Sequence, residues 1–462
     1  MARRRHERQR GALPAGAVGE RKLVAIVGRP NVGKSTLFNR LAGRHIAIVE
    51  DVPGVTRDRH YADTEAIGRP YVLVDTGGFD PTAADPMQAS IADQVRLAID
   101  ECDIVICVLD ATSDPMPADR EAVRMLRRET DKPVLYVANK ADSQRRAIES
   151  AAHYELGIAE VLPVSALHGH GTGDLEERLA ELLPESPESP EPIAGEGAPR
   201  IAIVGRPNAG KSSLVNRLLG EERHLVDDRP GTTMDSIDSL LVRDGREMVL
   251  IDTAGMRKKA RVGKSGIEGL SVIHAIRSME RSDAVVLMID GAEGAGEQDA
   301  KIAGLAEERG LALVIALNKM DRLAEADRKK AARRTREILS FVPWAELVQL
   351  SVKTGRGVQK LMSAVDAALA EREKRVTTGE LNRFFEEVIE RHPPPTMKNR
   401  APRLFYFTQA SVHPPTFVAV CSHPQAIHFS YERYVQNQIR ERFGFEGTPI
   451  RVRYRPRRRD ER

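Results

Sequence analysis

Gly28-Arg29-Pro30-Asn31-Val32-Gly33-Lys34-Ser35-Thr36 directly follows the apolar run Leu23–Val27 and precedes a helix-like stretch. It matches G-x-x-x-x-G-K-[ST]. The glycines of that pattern let a backbone loop wrap phosphates, while loop N–H groups and a helix N-terminus face the negative charge. The Lys reaches the β- and γ-phosphates and the Ser hydroxyl binds Mg²⁺. The pattern returns 177 residues later as Gly205-Arg206-Pro207-Asn208-Ala209-Gly210-Lys211-Ser212-Ser213, again after an apolar run, Ile201–Val204. One match is a weak signal, but two in the same strand-to-helix setting are not chance. Lys34 and Lys211 are the expected catalytic cations, and Ser35 and Ser212 the expected Mg²⁺ ligands.

The repeat organises the chain. The offset is 177 from Gly28 to Gly205, Thr56 to Thr233 and Asp75 to Asp252, then 179 at Asn139/Asn318 and 186 at Ser165/Ser351. A constant offset followed by drift means one duplicated domain with insertions in the later half of a copy. Short apolar runs alternate with amphipathic stretches in both copies: Tyr71–Val74, Ile104–Leu109 and Val134–Ala138, then Met248–Ile251, Ala284–Ile289 and Leu313–Leu317. Unalternated apolar runs fit central parallel strands covered on both faces, so each copy should be a doubly wound, mostly parallel α/β domain. The expected limits are a basic arm over 1–22, phosphate-loop domains over 23–183 and 200–376, and an acidic Pro-rich linker over 184–199. A C-terminal α+β domain over 377–456 and a basic tail over 457–462 complete the chain.

The remaining motifs choose the nucleotide. Asp75-Thr-Gly-Gly78 and Asp252-Thr-Ala-Gly255 each end a strand. The Asp is placed to hold Mg²⁺, and Gly78 and Gly255 let a backbone N–H approach a γ-phosphate. Asn139-Lys140-Ala-Asp142 and Asn318-Lys319-Met-Asp321 follow later strands. A carboxylate accepts both the N1–H and the exocyclic amine of guanine, a donor pair adenine lacks, so Asp142 and Asp321 select GTP over ATP. Ser165-Ala166 and Ser351-Val352 stand at the next strand ends, where they would support the guanine edge. Thr56 and Thr233, in Pro-Gly-x-Thr segments, are placed to complete Mg²⁺ coordination and to release on hydrolysis.

This set resembles translation-factor-type GTPases, and the doubled arrangement with a small C-terminal domain resembles the Der (EngA) family of tandem Era-like GTPases. The resemblance implies GTP hydrolysis, a role in maturing the large ribosomal subunit, and a KH-like C-terminal domain. Phe79 and Met256 stand where other GTPases keep a water-orienting Gln, so intrinsic turnover should be slow. Similar GTPases hold K⁺ against the phosphates with an Asn at the place of Asn31 and Asn208, and such an ion could supply an arginine finger's charge. Turnover should then be faster in KCl.

The segment after the second D-x-x-G, Met256–Lys264, is basic, whereas Phe79–Pro86 has two acids and no base. The copies therefore face different surroundings. Residues 380–443 contain no glycine, so the G-x-x-G grip of KH modules is missing. What remains is a basic surface: Lys398, Arg400, Arg403, Arg451, Arg453, Arg455 and 457–459, with Arg451, Arg453 and Arg455 on one strand face.

The net charge of +3 hides an asymmetry: residues 1–22 carry +5 and 377–462 carry +6, leaving −8 between them. Basic ends point to a polyanion, and the resemblance implies that it is rRNA of the large ribosomal subunit. Aromatics are only 4% of the chain, so the cores should be aliphatic. No stretch approaches the roughly 18 apolar residues of a membrane span, and Met1–Arg10 has no secretory signal pattern. Cys102, Cys107 and Cys421 form no disulfide framework or metal spacing and should be buried in a reducing compartment. The expectation is a cytoplasmic monomer. A second reading stays open, a nucleotide-gated RNA- or ribosome-binding protein with one weakly hydrolysing, regulatory copy.

Overall fold

Leu23–Val27 is apolar at every position and three of its residues are β-branched, the composition of a strand buried on both faces. It forms most of β1 (Lys22–Val27) in the computed structural model, which describes residues 21–43, 61–76, 91–185, 197–221, 238–251, 268–395 and 402–457. Val24 and Ile26 pack with Leu37, Phe38 and Leu41 of helix Lys34–Ala42 and with Leu175 and Leu179 of helix Thr172–Leu182. Leu23, Ala25 and Val27, on the opposite face, are equally buried.

The first sheet adds β2 (Tyr61–Ala66), β3 (Arg69–Asp75), β4 (Ile104–Asp110), β5 (Val134–Asn139) and β6 (Leu162–Val164), in the order β2-β3-β1-β4-β5-β6. The second contains β7 (Arg200–Val204), β8 (Ser239–Arg243), β9 (Arg246–Ile251), β10 (Ala284–Asp290), β11 (Ala312–Asn318) and β12 (Glu346–Gln349), in the order β8-β9-β7-β10-β11-β12. The two orders correspond strand for strand. Each sheet is parallel except at one edge, where β2 and β8 pair antiparallel with their neighbours. Both phosphate loops leave the C-terminal ends of central strands, the place where open α/β sheets bind ligands.

The C-terminal sheet is β13 (Leu404–Val412), β14 (Pro415–Cys421) and β15 (Arg451–Pro456), with β13 antiparallel and β15 parallel to the central β14. Helix Thr378–Arg391 starts at a capping box, Thr377 with Glu380, and helix Phe429–Phe443 packs beside it over the sheet. Unlike the purely aliphatic core expected, this one mixes aliphatic side chains with a run of stacked rings: Phe385 stacks on Phe407 and Phe407 on Phe417.

The described residues divide into two compact units, 21–185 with 268–281, and 197–251 with 282–457. Within the first, helix Glu268–Glu280 is tied down by a bidentate Arg21–Glu280 pair of 2.7 and 2.8 Å. Within the second, the C-terminal sheet module is stitched to the second G domain through the backbone. Gly447 N donates to Trp344 O and Leu313 N to Gly447 O, both at 2.8 Å, while the Arg440 guanidinium lies 5.3 Å from the Trp344 ring. Glu307 faces this seam. Burial first and neighbouring Glu308 second push its carboxyl up to about 7. Trp344, Phe384 and Phe385 are core, Cys102, Cys107 and Cys421 are buried, and His168 and His170 are exposed, each as their sequence setting implies.

Candidate nucleotide sites

The phosphate loop needs glycine because other atoms crowd it. A Cβ on Gly33 would stand 2.3 Å from Asn139 Nδ2, and one on Gly210 2.3 Å from Asn318 Nδ2. The same two asparagines explain the closeness. Asn139 Nδ2 donates to Val32 O at 2.8 Å and its Oδ1 accepts from Ala166 N at 3.0 Å. Asn318 Nδ2 donates to Ala209 O at 2.9 Å and its Oδ1 accepts from Val352 N at 3.0 Å. Each buried amide therefore straps the phosphate loop to the Ser-Ala or Ser-Val loop, bringing together motifs 106 or more residues apart.

Lys34 Nζ donates to Gly28 O and Arg29 O at 2.7 and 3.0 Å, and Lys211 Nζ to Gly205 O and Arg206 O at 2.7 and 2.8 Å. Burial, opposed in part by Asp75, holds the Lys34 ammonium below the ordinary lysine value. Ser35 Oγ donates to Asp75 Oδ2 at 3.0 Å, so a hydroxyl and a buried carboxylate converge beside the loop. These are hard oxygen donors of the kind Mg²⁺ takes. Asn31 and Asn208 have φ of 64° and 63°, the left-handed region that Asn tolerates. Their side chains are exposed and make no hydrogen bond among the described residues.

The base-recognition carboxylates have hydroxyl neighbours. Ser165 Oγ donates to Asp142 Oδ1 at 2.6 Å, and the Ser351 hydroxyl holds the Asp321 carboxyl below the usual carboxylate range. Around the second loop a cavity of about 720 Å³ is lined by Gly210, Asn318, Lys319, Asp321, Val352 and Lys353, among others. Pro30, Thr36, Pro207, Ser212 and Ser213 lie in the same two loops and the helix turns that follow them. Gly78, Gly255, Asp252, Thr56 and Thr233 lie outside the described residues, as do Phe79, Met256, Lys398, Arg400 and 458–459.

Four contact pairs were not singled out from sequence. Lys140 Nζ pairs with Asp110 Oδ2 at 2.7 Å and Lys319 Nζ with Asp290 Oδ2 at 2.6 Å. Arg29 Nε lies 3.3 Å from Asp119 Oδ2, and Arg206 Nε lies 2.9 Å from Asp299 Oδ2. Asp119 and Asp299 are fully buried at helix N-termini, where each also accepts a backbone N–H, from Met116 and Gly296. The loop arginines named in the motif thus anchor the phosphate loop to a neighbouring helix. The signal was in the repeat: Asp110/Asp290 and Asp119/Asp299 both recur at an offset of 180.

Two mostly parallel sheets, each with a glycine loop strapped to a guanine-type motif, define a tandem P-loop GTP-binding protein. The family described as 50S ribosome-binding GTPase matches residues 23–140 and 200–319, and the KH-domain-like C-terminal family of EngA bacterial GTPase enzymes matches 375–455. The curated GTPase Der of Moorella thermoacetica is 47% identical over 94% of this chain and 98% of its own length. That of Thermomicrobium roseum is 46% identical over 94% and 96%. The chain belongs to the Der GTPase family, with two G domains, and is a GTP hydrolase. The solved G domain of the T. maritima FeoB transporter is 24% identical over 37% of this chain and 98% of that one, with a TM-score of 0.27, too slight an overlap to argue from. Among the described residues no helix is long and apolar enough to cross a membrane.

Proposed function

We propose that this chain is a cytoplasmic, monomeric GTP-driven switch that acts in maturation of the large ribosomal subunit, each G domain reporting its nucleotide to a basic C-terminal domain. The observation that carries the reading is the twofold Asn strap, Asn139 and Asn318, because it links phosphate contact to base contact in both copies by the same bonds. It is supported by a family described as 50S ribosome-binding GTPase.

In each copy the loop residues 28–36 or 205–213 wrap the phosphates through backbone N–H groups. Lys34 or Lys211 turns from the loop carbonyls toward the β- and γ-phosphates, where its charge favours the transition state. Gly78 and Gly255 present a backbone N–H to the γ-phosphate. Asp142 and Asp321 accept from the guanine edge, with Lys140 and Lys319 covering the base and Ser165, Ala166, Ser351 and Val352 closing its rim. Ser35, Thr56 and Asp75, or Ser212, Thr233 and Asp252, would hold Mg²⁺, whose charge would offset the negative charge of the phosphates. Asn31 and Asn208, exposed and without internal hydrogen bonds among the described residues, are the residues to hold K⁺. With Phe79 and Met256 in place of a water-orienting Gln, hydrolysis is slow and K⁺-stimulated.

Co-sedimentation with ribosomal subunits in GDP and in a non-hydrolysable GTP analogue tests the switch. Association that differs between the nucleotides is expected, and indifference removes the ribosome reading. Equal hydrolysis in KCl and NaCl removes the K⁺ assignment.

A further inference from the structure

The outer face of the C-terminal sheet carries a feature that the nucleotide sites do not use. A bulge in β13 between Leu404 and Tyr406 breaks the in–out alternation, so Phe405 and Tyr406 both face solvent, at 42% and 43% exposure. Leu404 and Phe407 on either side of them pack into the core. β13 is an edge strand. Two adjacent exposed aromatics on a sheet edge are an aggregation liability unless something covers them in use.

Cations surround these rings. The guanidinium of Arg403 lies 5.9 Å from the Phe405 ring centre and that of Arg457 lies 5.6 Å from it. Across the sheet, Tyr406 is in register with Val420 and Val420 with Arg455, and the next row aligns Thr408, Val418 and Arg453. None of Arg403, Arg453, Arg455 and Arg457 is ion-paired with a described residue. Rings and uncompensated positive charge therefore share this face: Phe405 lies by Arg403 and Arg457, and Tyr406 is in the row that ends at Arg455. That is the chemistry of a single-stranded polynucleotide, whose bases stack on aromatics while its phosphates meet arginines. An acidic peptide would use the charge but has no need of the paired rings.

We infer that Phe405 and Tyr406, with Arg403, Arg455 and Arg457, form a stacking platform that holds single-stranded RNA without reading its sequence. It takes the place of the G-x-x-G grip that the glycine-free stretch 380–443 cannot build. The choice of RNA rests on the ribosomal reading above; the stacking chemistry does not.

The test is fluorescence anisotropy of a labelled oligo(U) 12-mer, with oligo(dT) and poly-glutamate as competitors, on the full chain. Phe405→Leu and Tyr406→Leu keep apolar bulk and remove the π face. Each should weaken oligo(U) binding by about 5-fold or more, the range for losing one stacked base. Tyr406→Phe should bind as the parent does. Arg455→Gln should lower the dependence on salt, which the aromatic variants leave unchanged. GTP hydrolysis should be unaltered in all four, which confirms folding. Parent-like binding by both Leu variants, or no oligo(U) binding by the parent, overturns the platform. So does competition by poly-glutamate at equal charge concentration, which would make the face a protein-docking surface. Stronger competition by oligo(dT) would assign it to DNA. The ribosomal reading fails separately, when co-sedimentation ignores the nucleotide while oligo(U) binding and its loss in Phe405→Leu persist.

Discussion

The two nucleotide-binding copies agree where they would touch phosphate and differ where they meet the rest of the chain. Their strand orders correspond, the Asn straps match within 0.1 Å, and each loop lysine makes the same pair of carbonyl bonds. The differences begin one layer out. Arg206 grips Asp299 at 2.9 Å and also donates to Gly294 O, whereas Arg29 stands 3.3 Å from Asp119 and reaches Asp110 and Ser113 instead. Asp142 has Arg146 four residues on, at 3.1 Å; Asp321 has Glu325 there, which pairs with Lys329. The half-buried Glu307, on the helix facing the C-terminal domain, corresponds by the repeat to Arg127, which is exposed. Among the described residues, the contacts of the phosphate loop match between the copies while those one layer out do not.

The largest effect that could break this equivalence comes from the loop lysines. Lys34→Ala and Lys211→Ala should each reduce single-turnover GTP hydrolysis at the altered site by about 100-fold or more, the scale of losing one preorganised charge at the transition state. If one change abolishes all turnover and the other none, the silent copy is regulatory and the symmetry is only architectural.

Next in size is the buried anchor. Arg206→Ala leaves Asp299 buried without its cation and should cost about 3 kcal/mol of stability, while Arg29→Ala, with the longer and more shared contact, should cost less. Burial already raises the Asp299 carboxyl, against the pull of the Gly296 N–H and Arg206. A raised folded-state value means the folded protein binds the proton more readily, so protonation favours it and stability falls as pH rises. The Arg206→Ala deficit should therefore shrink on going from pH 8 to pH 5 in thermal melts; a pH-independent deficit would contradict the anchor.

Asn139→Ala and Asn318→Ala remove two buried hydrogen bonds each and should cost about 1–3 kcal/mol for the groups left unpaired. They should weaken fluorescent GDP binding by similar factors in both copies. A large disparity would show that the straps share geometry but not load.

The smallest effect concerns the seam present only in the second half. Glu307, raised to about 7 from a usual 4.5, lowers stability progressively as pH climbs through that window, because the folded state must bury a charge the unfolded chain leaves in water. Glu307→Gln should flatten that part of the pH–stability curve. Arg127→Gln, at the matching exposed position, should leave the curve unchanged.

Much of this was readable along the chain. Runs such as Ile104–Leu109 and Ala284–Ile289 marked central strands, because a strand buried on both faces cannot afford polar residues. The edge strand β2 was missed for the converse reason. Tyr61-Ala-Asp-Thr-Glu-Ala66 is half-exposed and polar, and carries no apolar run to detect. The ring stack in the core of the C-terminal domain was also missed, because a chain-wide aromatic content of 4% says nothing about where the rings gather.

By itself the sequence determined the nucleotide chemistry and the duplication. Those depend on short local motifs whose residue types and spacing are dictated by phosphate, metal and base geometry. Only the tertiary structure decided which distant groups support them: Asp119 and Asp299 behind the loop arginines, one amide tying two loops, and a bulge that turns Phe405 and Tyr406 outward together. The arginine anchors join residues 90 or more positions apart, each amide ties one loop to another distant in the chain, and the bulge hinges on one extra residue in a strand, none of which leaves a local pattern.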